Sequence, residues 1–300
     1  MTNLRLLHSV VLALPAVFLA ACAGQTLPAA PSAATASNSG ASASTPLAPA
    51  NDAAMPAGSQ WKPTAGETFQ YQITGKTIDT SVSADIYDID GFDQQASAVA
   101  ALHKMGRHVI CYIDVGTWEN WRPDAKDFPK GVLGNHDGHW PGERWLDIRQ
   151  LSVLEPIMTK RFEMCKQKGF DGVDPDNIDG YTNKTGFPLT AKDQLAYDQW
   201  FASEIHSLGM LVGQKNDPGQ NDDLSSHFDF AVDEQCWIQH WCQKMNVYSN
   251  SNRLVVDVEY GVALQRFQTE TCPEAATNHD TAILKKLNLG SWIVTCQSSH

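Results

Sequence analysis

Several kinds of sequence are missing from this 300-residue chain, and each absence excludes a function class. No GxGxxG or Walker-type glycine loop is present, so nothing is prepared to cradle a nucleotide pyrophosphate. There is no CxxC pair and no HxH, so no structural or catalytic zinc site is expected. The DPDNIDGY stretch beginning at Asp174 only superficially matches a calcium loop. Its third acid and its glycine come one residue late, and the twelfth position is Thr185 where such a loop needs Glu. Positive charge is scarce: 22 Lys and Arg stand against 34 Asp and Glu, a formal net charge of −12. That balance argues against nucleic acid, which needs a basic surface, and favours a cationic or neutral ligand. No cofactor is expected.

Long apolar runs are also lacking. Val10–Ala21 is shorter than the roughly 20 residues a spanning helix needs. It follows Arg5 and ends in Leu19-Ala20-Ala21-Cys22, so residues 1–21 read as a signal peptide of lipoprotein type with Cys22 the lipidated residue. An ordinary secretory signal cleaved nearby is the alternative. Either way the expected location is the bacterial cell envelope, lipid-anchored at the outer membrane, or outside the cell. Any membrane association would run through the lipid alone, and the chain is read as a monomer. Residues 22–60 are Ala, Ser, Pro, Thr and Gly with Asp52 the single charge, a composition too poor in apolar side chains to offset chain entropy. They are expected to form a disordered tether. Six cysteines remain beyond Cys22. An oxidising compartment permits disulfides, and Cys236/Cys242 and Cys272/Cys296, all near loops, are the expected pairs. Cys111, in an apolar strand, and Cys165, on a helix, are expected as free buried thiols.

From Trp61 onward, strand-like runs of β-branched and aromatic residues alternate with helical patterns. Eight strands are expected: Phe69–Thr74, Ala84–Asp90, His108–Gly116, Arg144–Arg149, Phe170–Asn177, Leu211–Asn216, Phe228–Cys236 and Leu254–Tyr260. Helices are expected over Gln94–Met105, Ser152–Lys168 (with Ser152 and Glu155 as a capping box) and Thr190–Leu208, stopped by Gly106, Gly169 and Gly209. Leu264–Glu270 and Thr281–Leu287 are further helix candidates, and Trp292–Cys296 a short closing strand. Strand, helix, glycine, strand is the rhythm of a parallel sheet wrapped in helices, and this many repeats over residues 61–300 point to an α/β fold, a (β/α)8 TIM barrel. A doubly wound open sheet is the second choice.

The acids fall where a barrel would place chemistry. Residues two apart on a strand share a face. Asp88 and Asp90 therefore point together, as do Tyr112 and Asp114, Asp147 and Arg149, Asp174 and Asp176, and Asp257 and Glu259; Glu234 and Asn216 also end strands. With Ile89, Val173 and Val258 toward the helices, these pairs would point into the barrel at its C-terminal mouth, where such enzymes keep their sites. A buried carboxylate costs free energy unless paired, so the competing reading is a structural layer neutralised by Arg122, Arg144, Arg149 and Lys215.

The runs VICYIDVGTWENWRPD, WPGERWLDIR, GFDGVDPDNIDGY, GFPLTAKDQ, GQKND, FAVDEQC and VEY, in this order, resemble glycoside hydrolase family 114, the endo-α-1,4-polygalactosaminidase-like barrels. The resemblance implies a retaining endo-hydrolase of α-1,4-linked galactosamine-rich polysaccharide, with Asp176 and Glu234 as the two catalytic acids. Asp174 stands where such sequences commonly carry Glu. Expected sugar contacts are Asp88, Asp90, Asp174, Asn177, Lys215, Asn216 and Glu259, with Tyr112, Trp118, Tyr181 and Tyr260 as ring platforms. A lipoprotein that binds cell-surface polysaccharide without cleaving it is the alternative.

Overall fold

The structure, a computed structural model, describes residues 61–138 and 140–296. The expected signal peptide, the expected lipidation at Cys22 and the expected tether fall outside the described residues.

Eight strands run parallel in one sheet. They are β1 (Phe69–Gln72), β2 (Ile86–Asp90), β3 (His108–Asp114), β7 (Gly172–Asp176), β8 (Leu211–Lys215), β9 (Phe230–Glu234), β10 (Val255–Tyr260) and β11 (Thr281–Lys285). The short β12 (Ile293–Thr295) adds antiparallel to β11. Between β3 and β7 the chain inserts a separate antiparallel sheet of β4 (Thr117–Glu119), β5 (Leu133–His136) and β6 (Glu143–Leu146). The long helices are α1 (Ala96–Lys104), α2 (Leu151–Lys168) and α3 (Ala191–Ser207).

The parallel strands are buried on both faces, so their sequences read as near-continuous apolar runs. One face fills the lumen with Phe69, Tyr71, Ile110, Tyr112, Phe230, Val232, Val256, Val258 and Ile283. The other packs Ile89, Cys111, Ile113, Val173 and Val212 against helix residues such as Leu102, Leu154, Phe162 and Phe201. Among the described residues no backbone ladder joins β11 back to β1. The seam is bridged instead by Thr281 Oγ1 donating to the Glu67 carbonyl at 2.9 Å, Lys285 Nζ to Gln70 Oε1 at 2.9 Å, and Thr74 N to the Leu289 carbonyl at 3.2 Å.

Four expectations are corrected here. Arg144–Arg149 is not a barrel strand; Arg144 lies in the inserted sheet and bonds the carbonyls of Leu133 and Gly134, while β3 pairs directly with β7. The eighth strand is Thr281–Lys285, expected as helix. Its consecutive Ala-Ile-Leu run fits a helix segment or a strand buried on both sides, and pairing with β10 decides for the strand. Ser152 and Glu155 form no capping box, because α2 begins one residue earlier, at Leu151 after Gln150. Finally, Cys111 and Cys165 form a disulfide that ties β3 to α2, beside the expected Cys236–Cys242 and Cys272–Cys296 bonds. An apolar setting does not distinguish a thiol from a bridge; the approach of α2 to β3 does, with Cα atoms 6.1 Å apart.

No helix among the described residues is long and apolar enough to cross a membrane.

Candidate active site

Three neighbouring strands each end on a polar residue: β7 on Asp176, β8 on Lys215, β9 on Glu234. The residue after each is left-handed: Asn177 at φ 62°, Asn216 at φ 52° and Gln235 at φ 59°. A left-handed residue ends the extended backbone at once, so the chain peels away directly above the presented side chain. Asn tolerates this conformation better than most residues, and here both asparagines are put to use. Asn216 Oδ1 accepts from the Glu234 backbone N–H at 2.7 Å, and Asn177 Nδ2 donates to Asp114 Oδ2 at 2.8 Å. The Asn177 peptide also packs on Gly116, where an added Cβ would fall 1.8 Å from the Asn177 carbonyl oxygen.

Lys215 is the hub. Its Nζ lies 3.2 Å from Asp174 Oδ2, 3.6 Å from Asp176 Oδ1 and 3.9 Å from Glu234 Oε2. The oxygens of Asp176 and Glu234 are thus no farther apart than the sum of the last two distances. The Lys215 side chain is 1% exposed, against 19% for Asp176 and 29% for Glu234, so a ligand entering the mouth meets the acids and not the amine. The three carboxylates hold the amine well above its ordinary pKa against the opposing effect of burial. Each accessible acid also accepts a phenol: Tyr112 Oη donates to Asp176 Oδ2 at 2.6 Å, and Tyr260 Oη to Glu234 Oε1 at 2.6 Å. Asp174 sits one layer deeper, fully buried, where Tyr71 also reaches it. Burial pushes its pKa up to about 6, with Lys215 pulling the other way.

The inserted sheet closes one side of the mouth. Thr117 Oγ1 donates to Asp114 Oδ2 and lies 3.2 Å from Glu143 Oε2. Glu143 is pushed up to about 8, first by burial and then by Glu119 and Asp176. Asp179, in the turn after β7, is raised to about 6 by burial and then by Asp176.

Of the residues expected to meet a sugar, Asp88, Tyr112, Asp174, Asn177, Lys215, Asn216 and Tyr260 are gathered around Asp176 and Glu234 or directly beneath them. Others are not. Asp90 is gripped by both terminal nitrogens of Arg122, at 3.0 and 2.7 Å, and caps the turn at Phe92 and Asp93. Glu259 points away from the lumen: β10 has the opposite phase from that expected, with Val258 inside, and Glu259 Oε1 accepts from the backbones of Trp237 and Ile238. Tyr181 donates to Asp217 Oδ1 at 2.8 Å, and Trp118 Nε1 to the Ala125 carbonyl at 2.9 Å. Asp147 and Arg149 pair with each other. Sequence reasoning missed Tyr71 and Glu143. Tyr71 was findable, being two residues after the inward Phe69; Glu143 was not, because its place depends on the inserted sheet folding over the mouth.

The family model of glycoside-hydrolase family GH114 matches residues 50–300. The chain belongs to glycoside-hydrolase family GH114. This GH114 chain is similar to Aspergillus fumigatus Ega3, solved as a complex with galactosamine, at 34% identity and a TM-score of 0.76 over 80% of this chain and 98% of that one. It also shares its fold with the glycoside hydrolase domain of PelA from Pseudomonas aeruginosa, at 11% identity and a TM-score of 0.57 over 76% of this chain and 97% of that one. No curated protein sequence matches it.

Proposed function

We propose that this glycoside hydrolase is a retaining endo-glycosidase of α-1,4-linked galactosamine-rich polysaccharide, with Asp176 as nucleophile and Glu234 as acid/base. The observation that carries the reading is the shared Lys215. It holds two solvent-reached carboxylates on one rim, close enough to flank a single glycosidic bond. Retaining pairs stand roughly 5–5.5 Å apart and inverting pairs roughly 6.5–9.5 Å; the limit set by the Lys215 distances includes the first range and only the start of the second.

In this scheme Asp176 attacks the anomeric carbon while Glu234 gives its proton to the departing glycosidic oxygen, leaving a glycosyl ester on Asp176. Glu234 then takes a proton from water, whose oxygen attacks the same carbon and frees Asp176. Tyr112 and Lys215 hold the Asp176 carboxylate in place for both steps, and Tyr260 and Asn216 hold Glu234. The solvent-reached carboxylates of the rim, Asp176 and Glu234, with Asp179 in the turn beside them, complement the ammonium of unacetylated galactosamine, the sugar bound in the similar Ega3 structure. The chain's place is the cell envelope or the outside of the cell, which its disulfides support.

Reducing-end release from de-N-acetylated galactosamine polymer tests the assignment. Asp176→Asn and Glu234→Gln are each expected to lose about a thousandfold or more, in line with other groups that act as one catalytic unit. Full activity in either variant removes the mechanism. The first-formed product seen by proton NMR should keep the α configuration; a β product would make the enzyme inverting. Faster cleavage of fully acetylated polymer would overturn the choice of substrate.

A further inference from the structure

Beneath Asp176 lies an acid that the mechanism above does not use. Asp88, on β2, is 0% exposed, as is Asp174 on β7. These strands are alternate members of the sheet, separated by β3, and side chains from alternate strands share one layer of a barrel lumen. Asp88 stands opposite Tyr71 in the β1–β2 register, and the Tyr71 hydroxyl reaches Asp174 Oδ2 at 3.4 Å, which brings the two carboxyl groups together. Asp174 Oδ2 is already taken by Lys215 and Tyr71. Among the described residues, Asp174 Oδ1 and both oxygens of Asp88 meet no donor. Two ionised carboxylates cannot rest against each other in such a place without a proton between them.

We propose that Asp88 carries that proton and donates it to Asp174, so that Asp88 is a positioning residue: it keeps Asp174 ionised, and through Asp174 it fixes Lys215 beneath the two acids at the rim. The role in catalysis rests on the hydrolase reading; the proton itself does not. The proton belongs on Asp88 because the ammonium of Lys215 favours the ionised form of Asp174, whereas Asp88 has no donor of its own. The surrounding groups agree. Tyr71 of β1, Tyr112 of β3 and Tyr260 of β10 are phenols that burial keeps neutral, Asp176 adds negative charge from β7, and Glu234 of β9 faces Lys215. Lys215 of β8 is the one cation that the structure places against this group among the described residues. Burial, then Asp174, raises the proton affinity of Asp88. An enclosed Asp88 acts on a sugar only through Asp174, which revises its expected role as a direct contact.

Carbon NMR of the aspartate-labelled protein tests the proton without reference to activity. The Asp88 carboxyl resonance, assigned as the one missing from Asp88→Asn, should stay at its protonated position through the range around about pH 4 in which ordinary aspartates ionise. Titration alongside those ordinary aspartates overturns the proposal. The catalytic arm compares two variants. Asp88→Ala removes the donor, so kcat should fall about tenfold or more, and the acid limb of kcat/KM should move to higher pH as Asp174 takes up the proton. Asp88→Asn supplies an N–H to the same oxygen and should restore both kcat, to within about threefold of wild type, and the position of that limb. Wild-type pH profiles in both variants would show a packing role and overturn the positioning claim. A wild-type protein that cleaves no galactosamine polymer would remove the hydrolase reading, while the NMR titration would still decide where the proton sits.

Discussion

Lys215 shows how one side chain can hold a site together. It is buried, and three carboxylates converge on it. Removing one partner of such a group leaves uncompensated buried charge, which typically costs several kcal/mol. Lys215→Met is therefore expected to lower stability by about 3–5 kcal/mol in urea titrations, with kcat falling as well. A variant that melts like the wild type would mean that Asp174 and Asp176 are not held by this amine. Asn216 is a second single-residue test. Asn216→Ala puts a β-carbon residue without polar compensation in the left-handed region and frees the Glu234 N–H, together about 2 kcal/mol of destabilisation. Because the same contact sets the backbone under Glu234, kcat should drop in parallel; a stability loss with unchanged kcat would separate the two roles.

At the scale of elements, alternation shows that a strand has two unlike faces but not which of them looks into the barrel. In β2 and β7 the alternation of Asp with Ile or Val gave the right phase, so Asp88, Asp174 and Asp176 were correctly turned inward. In β10 every second residue is also acidic, but the lumen takes Val256 and Val258 while Asp257 and Glu259 go to the outer layer. Only the partners decide this: Glu259 has two backbone N–H donors waiting in the loop after Glu234. The inserted sheet was illegible for another reason, since alternation in Arg144–Arg149 says a strand is half-buried but not which sheet it joins. Gly116 makes that junction testable. Gly116→Ala would drive a methyl into the Asn177 carbonyl, and both the Asp114 contact and the left-handed exit from β7 should be disturbed. Expected are a lower melting temperature and a weaker kcat; an unaltered melt would mean that the two loops separate freely.

For the whole molecule, buried acids set the response to pH. Glu143 is raised to about 8, Asp280 to about 7 and Asp174 to about 6, in each case first by burial. The folded chain keeps these protons while the unfolded chain releases them above about pH 4, so stability falls as pH rises through that interval. Groups shifted the other way, such as Asp171 with its bonds from His103 and Val109, contribute above about pH 4 and lose that contribution in stronger acid. Thermal melts should therefore peak near about pH 5 and decline toward about pH 8; a rise across that range would contradict the assigned shifts. The seam between β1 and β11 has a further consequence. A nascent polypeptide lays down β1 first and must wait for nearly the whole remaining barrel to be made before Lys285 can reach Gln70 and Thr281 can reach Glu67. Until then the cylinder stands open along one edge, so the strand made earliest waits longest for its last partner.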